Sequence, residues 1–387
     1  MSVIPSVALS ELMASRVGSV DPSKFPDEVF DLYSIPAFDR GAPEVAIGSS
    51  IGSAKQIVRP GDVLLSKIVP HIRRSWVVGG DRGSRLIASG EWIVFRSDRI
   101  DQAYLRHVLV GDPFHSQFMQ TVSGVGGSLL RARPAQVAKI TVPLPPLPEQ
   151  RRIAAILEQA DALRAKRREA LAQLDSLTQS IFIEMFGDPL SPQQRWPQST
   201  FGDTVSHLVY GPRFYNDSYS EEGARIVRIT DLDNLGQLSF ANMPRMALSD
   251  SDVRKYALTE GDLIFARSGS VGKSAVFPRD APICVAGAYF IVMRFKSVVL
   301  PEFVRSVLAA ESVQMHIQGH SRQAIQPNFS GPAIRSLPLP LPPMTVQTEF
   351  VSRLEQVKSV RVLHMSALDE LNTLFTSLQH RAFRGEL

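Results

Sequence analysis

The sequence predicts an α+β protein built twice. Two tandem β-rich α/β domains are each followed by a long helix, and the two helices pair antiparallel as a coiled coil, giving a pseudo-two-fold internal repeat. Three observations carry this. The stretch "PLPPLPEQRRIAAILEQ" at 143–159 is echoed by "PLPLPPMTVQTEFVSRLEQ" at 338–356. Setting Pro143 on Pro340, 197 residues on, also sets Gln150 on Gln347 and Leu157-Glu158-Gln159 on Leu354-Glu355-Gln356. Behind each echo, apolar residues step mostly by threes and fours for roughly eleven helical turns. Ahead of each echo lie short β-type runs broken by Gly, Asp and Pro.

In chain order, the first domain is placed at 1–148. Its strands are read from "GDVLLSKIV" and "EWIVFRS", and a short helix from "QAYLRHVLV". The first long helix is placed at 149–187. Pro148 suits its opening turn, its stripe runs Ile153, Leu157, Ala160, Leu163, Leu171, Leu174, Leu177 and Ile181, and "FGDP" stops it. At 1.5 Å per residue it is roughly 55 Å long, more than the face of a small domain. The second domain, 188–346, repeats the pattern with "GDLIFARSG", "AYFIVMRF" and "PEFVRSVLAA". The second long helix, 347–387, carries Phe350, Leu354, Val357, Val360, His364, Leu368, Leu371, Leu374 and Leu378, and Phe383 falls on Phe186 at the same offset. Each helix lying on its own domain is the alternative to pairing.

"RPGDVLLSK" (59–67) answers "TEGDLIFAR" (259–267), and "GSLLRARP" (127–134) sits where the second half has "HSRQAIQP" (320–327). A framework that repeats while its loops diverge implies one task performed on two different targets.

Composition narrows the setting. A single cysteine, Cys284, excludes an internal disulfide and a cysteine-rich zinc site, and points to a reducing compartment. No run of eighteen apolar residues exists, and the N-terminus lacks the basic start and apolar core of a signal peptide, so a cytoplasmic protein is expected. The net charge is +4, with 33 Arg against 9 Lys. Arginine's planar fork suits phosphates and guanine edges.

Catalytic signatures fail in turn. "GSVGKS" resembles the tail of a phosphate-binding loop, but the first glycine of that motif would fall on Arg267. "SGVGGS" (123–128) reads as a flexible loop. HExxH, GxSxG and the Asn-Pro-Pro-aromatic loop that holds a target base are absent, and "PDEVFD" (26–31) does not match the strand-linked acidic and lysine cluster of a nuclease. No self-contained active site, metal site or cofactor site is therefore expected in this chain.

The loops instead offer polar forks beside small residues. In the first half these are Lys67, His71, Arg73 and Arg74, joined by Ser128, Arg131 and Arg133. In the second half they are Tyr210, Arg213 and Tyr215; Arg267, Ser268, Ser270 and Lys273; and His320, Ser321, Arg322, Gln323 and Gln326. Arginine reads guanine, glutamine reads adenine, and hydroxyls or lysines hold phosphates. The same residues also fit ordinary solvated loops. Two rivals stay open on residues alone: a coiled-coil scaffold joining protein partners without touching DNA, and an enzyme with unrecognised motifs.

"PLPPLPEQRRIAAILEQADALRAKRREALAQLDSLTQSIFIEMFGDP" resembles the central region of specificity (S) subunits of type I restriction-modification systems. "LDELNTLFTSLQHRAFRGEL" resembles the C-terminal repeat of that family, and "GDVLLSKIVPHIRR" and "GDLIFARSGSVGK" resemble segments of its target recognition domains. The resemblance implies that each domain reads one half of a bipartite, asymmetric DNA site while the helices set the spacing. It implies no catalysis by this chain. Two methyltransferase (M) subunits would bring S-adenosylmethionine and methylate adenine N6, and restriction (R) subunits would bring ATP and Mg. In the second copy "PPMTVQTEF" departs from the first copy's "PPLPEQRRI".

Overall fold

The computed structural model describes residues 4–124, 130–213, 218–233, 235–321 and 328–387, with Ser321 by its backbone only. The chain divides into two compact units, Met1–Arg168 with Ser366–Leu387 and Glu169–Met365. Both are built to one plan.

In the first unit, strand β1 (Ser6–Ala8) leads towards the central antiparallel strands β2 (Val63–Ser66), β3 (Ser75–Val77) and β4 (Trp92–Phe95), which pair in the order β3-β2-β4. The run "VLLS" is buried throughout, because β2 is the middle strand and is covered on both faces. Helix α1 (Gln102–Val110) follows, capped by the Asp101 carboxylate, which accepts from the Tyr104 amide. Strand β5 (Thr141–Pro143) then returns to pair with β1, Val7 opposite Val142, and the chain enters the long helix α2 (Leu147–Phe186). A second sheet has five strands, in which Val29–Tyr33 runs parallel to Arg85–Ala88.

The second unit repeats this order, with a fourth strand in its central sheet. Strand β6 (Gln198–Thr200) is followed by a sheet of β7 (Val205–Tyr210), β8 (Leu263–Ala266), β9 (Ser274–Val276) and β10 (Phe290–Phe295) in the order β7-β10-β8-β9. Then come helix α3 (Pro301–Ala309), strand β11 (Pro338–Pro340) paired with β6, and the long helix α4 (Met344–Ala382). Leu263 faces Met293 as Val63 faces Phe95. Each strand β2 and β8 is entered through a Gly-Asp turn whose glycine, Gly61 or Gly261, has φ near +80°, a conformation that a Cβ disfavours. The proline runs are thus the strand that closes each domain on its own first strand and launches the helix behind it.

The long helices start in one core and end in the other. Ile153, Ala154, Leu157 and Ala160 of α2 share the first unit's core with Phe375 and Ala382 of α4. Phe182 and Phe186 of α2 share the second unit's core with Phe350 and Leu354 of α4. Within each unit the two helices therefore run antiparallel.

The seam differs in its middle from the predicted stripe. Leu163, Leu177, Val360 and Leu374 are exposed. The inward positions nearby are polar: Arg164 donates to the Asn372 side chain at 2.8 Å and stacks over Phe375 in the first unit, and Arg361 pairs with Asp175 at 3.0 Å in the second. The other stripe positions of this stretch, Leu171, Leu174, Val357, Leu368 and Leu371, are half-buried. Among the described residues no helix is long and apolar enough to cross a membrane.

Candidate nucleic-acid interface

At the end of β2 and of β8 the two units make the same backbone crossing. Lys67 donates its amide to the Glu91 carbonyl and accepts from the Ala132 amide, and Ile68 bridges to Arg131. Arg267 donates its amide to the Tyr289 carbonyl and accepts from the Phe329 amide, and Ser268 bridges to Asn328. Residues 67, 91 and 131 of the first unit thus occupy the slot that 267, 289 and 328 occupy in the second.

The side chains in the two slots differ. In the first unit Arg131 is held by Glu91 through bonds of 3.2 and 3.3 Å, beside a half-buried Lys67. In the second, Arg267 lies over the Tyr210 ring at 4.8 Å and donates through Nε to Asn328 at 3.1 Å. Tyr210 is fixed in turn, its hydroxyl accepting from the Gly331 amide at 3.0 Å. Tyr289 is exposed. Arg213, Arg267, Ser268, Tyr289 and Asn328 line one cleft of about 1030 Å³, together with Arg228 and Tyr219. A guanidinium stacked on a ring, beside a carboxamide, presents donors and an acceptor in fixed planes, the chemistry that reads base edges.

Other expected residues are placed differently. Arg74 is buried, and its guanidinium makes two bonds to Asp39 at 2.8 and 2.9 Å, so it ties the fold together rather than facing a ligand. Arg73 is exposed but engaged, bonded to Asp112 at 2.6 Å and to the Val110 carbonyl at 3.1 Å. His71 is exposed beside it, and His115 nearby has its pKa lowered by burial and then by Arg73. Arg133 is exposed and lines a shallow recess with Gln117, Gln120 and Lys139. Ser270 and Lys273 line a separate recess of about 340 Å³ with Arg305 and Gln314, apart from the Arg267 cleft. Ser128, Tyr215, Arg322, Gln323 and Gln326 lie outside the described residues, as does the side chain of Ser321.

Tyr289, Asn328, Tyr219 and Arg228 were not legible as site residues. Tyr289 opens an apolar strand run, and Asn328 sits in a loop without a motif. Arg228 is turned towards Asp231 by bonds of 3.1 and 2.8 Å, which raise its already high pKa.

Two like frameworks carrying unlike polar side chains in matched slots define a duplicated binding protein. The chain belongs to the family of the type I restriction modification DNA specificity domain, which it matches over residues 82–173 and 216–372. It is 21% identical over 326 residues to the EcoBI specificity subunit of Escherichia coli, covering 76% of this chain and 68% of that one. It is 25% identical over 284 residues to the EcoKI specificity subunit of Escherichia coli strain K12, covering 68% and 61%. The chain therefore spans between about three fifths and two thirds of the length of these relatives. In fold it resembles a chain of a type I R-M system solved for its complex assembly and conformational transition, with TM-score 0.63, 20% identity and coverage of 100% and 98%. It also resembles the type I S subunit from M. genitalium, with TM-score 0.56, 9% identity and coverage of 98% and 96%.

Proposed function

We propose that this chain is the DNA sequence-specificity subunit of a type I restriction-modification complex, each recognition domain reading one half of a bipartite, asymmetric site. The observation that carries this is the matched slot: one backbone crossing holds Lys67, Glu91 and Arg131 in one unit, and Arg267, Tyr289 and Asn328 in the other. Like frameworks with unlike readers recognise unlike half-sites. The long helices set the spacing between the halves. Their exposed apolar residues, Leu163 and Leu374 in the first unit and Leu177, Val360, Val362 and Leu363 in the second, are the docking surface for two M subunits. The chain itself is non-catalytic. S-adenosylmethionine belongs to the M subunits, which methylate adenine N6, and ATP and Mg belong to R subunits where restriction occurs.

The test is a methylation map of DNA from cells expressing this chain with its M subunit, against M alone. Methylated adenines at a two-part, gapped, asymmetric sequence, seen only with this chain, are expected. A stable complex with M that adds no methylation would favour the protein scaffold instead. In the same map Arg267→Ala should relax one base position in one half-site, discrimination there falling by about 1–3 kcal/mol, while the other half-site and assembly with M stay unchanged.

DNA binding by the isolated chain should be weak and salt-sensitive. Basic and acidic residues number 16 and 13 in 1–148 and 15 and 14 in 188–346. Several arginines that could hold phosphates are neutralised in place, Arg73 by Asp112, Arg131 by Glu91 and Arg228 by Asp231. Fluorescence anisotropy should show binding that fades as salt rises to about 0.2 M. Tight binding at that ionic strength would contradict this.

A further inference from the structure

Gln150 and Gln347, which the sequence echo aligns, make the same buried three-bond knot in the two units. The Gln150 carbonyl accepts from the Asp101 amide at 2.8 Å, and its Nε2 donates to the carbonyls of Arg99 at 3.0 Å and Pro145 at 2.8 Å. The Gln347 carbonyl accepts from the Leu300 amide at 2.9 Å, and its Nε2 donates to the carbonyls of Val298 at 3.1 Å and Pro342 at 2.9 Å. Both side chains are buried, at 1% and 0% exposure. Asp101 and Leu300 are the N-caps of α1 and α3, and Pro145 and Pro342 stand just ahead of the long helices. One amide thus ties three segments: the start of the domain's main helix, the chain entering it, and the turn that launches the long helix. Both N–H groups are used, so glutamine alone fits; a carboxylate in its place would face two carbonyl oxygens.

We propose that Gln150 and Gln347 are matched positioning residues that fix the angle at which each recognition domain leaves its long helix, and thereby set how sharply the protein rejects DNA sites with a wrong gap. The gap readout rests on the function proposed above; the latch itself does not. An apolar core alone would hold the domain on the helix but tolerate rocking, because dispersion contacts have little directionality, whereas three bonds to one planar amide do not. Small angular errors at the base of a domain grow at its DNA-facing end.

Gln347→Met and Gln150→Met keep side-chain length and burial while removing all three bonds. In the methylation map with M, each variant should keep both half-site sequences but gain methylation at gaps one base pair longer or shorter, by about tenfold relative to the native gap. A merely structural role would lower the methylation level and leave the gap distribution sharp, which overturns the proposal. Hydrogen exchange reads the latch independently of any DNA. The Leu300 amide in Gln347→Met, and the Asp101 amide in Gln150→Met, should lose protection by about tenfold or more while strands β8 and β2 keep theirs. Unchanged exchange, or loss spread evenly through the unit, also overturns it. If the wild-type complex itself directs no gapped methylation, the proposed function falls, and exchange still decides the latch.

Discussion

Asp62→Ala should destabilise the first unit by about 3–5 kcal/mol, and Asp262→Ala the second by an amount nearer the lower end. Each aspartate is 1% exposed behind its Gly-Asp turn. The Asp62 carboxylate accepts from the Arg59 amide at 2.8 Å and from Arg96 at 2.7 and 2.6 Å. The Asp262 carboxylate accepts from the Thr259 amide at 2.9 Å and from Arg294 at 2.7 and 3.0 Å. Removing either carboxylate leaves a turn amide without its acceptor and an arginine without its counter-charge, and the second loss depends on access to water. The Arg96 side chain is 27% exposed and Arg294 43%, so Arg294 hydrates more readily once its partner has gone. Denaturant unfolding followed by circular dichroism should therefore rank Asp62→Ala as the costlier change. Equal small losses would mean that these ion pairs are replaceable by solvent. The turns feed β2 and β8, whose ends carry the slot residues, so a loosened turn should also weaken recognition by that domain.

What the sequence made legible, and what it did not, follows from the range of each interaction. The long helices were visible because periodicity is local; their starts, read at 149 and 347 from the recurring proline and glutamine, fall at Leu147 and Met344. The Gly-Asp turns were visible because a positive φ asks for glycine at a particular step. The pairing of Val29–Tyr33 with Arg85–Ala88 is parallel and joins distant segments, and no local pattern announces it. The site was legible only in part for the same reason. Arg267 and Ser268 were expected from their loop, but Tyr289 and Asn328 reach the slot through backbone crossings that a one-dimensional reading does not contain. Arg74 misled because its partner Asp39 lies far from it in sequence; an arginine beside another arginine looks the same whether it faces solvent or a carboxylate. The helix seam misled in the opposite direction. Leu163, Leu177, Val360 and Leu374 face outward at plausible spacing, while Arg164 with Asn372 and Arg361 with Asp175 pair between the helices.

Phe350→Ala should cost the second unit about 4 kcal/mol, the upper range for deleting a buried aromatic ring. Phe350 is 0% exposed in the first turns of α4. Its ring lies 5.7 Å from Phe182, 5.2 Å from Phe186 and 6.5 Å from Phe303, mostly edge to face. One ring thus joins the end of α2, the start of α4 and the domain helix α3, and a cavity there cannot collapse without moving one of three elements. The first unit offers an internal comparison. The offset that sets Phe186 on Phe383 sets Phe350 on Ile153, which shares the first unit's core with Tyr104, itself 6.0 Å from Phe383. Ile153→Ala deletes fewer atoms from a smaller aromatic cluster, and should cost about 2–3 kcal/mol. Calorimetry of both variants should find the larger drop for Phe350→Ala. In the methylation map that variant should lose modification altogether at temperatures that wild type and Ile153→Ala tolerate, since a recognition domain detached from its helix has no fixed partner half-site. The reverse ranking would mean that the aliphatic junction of the first unit, and not the aromatic one of the second, is the stiffer joint between domain and helix.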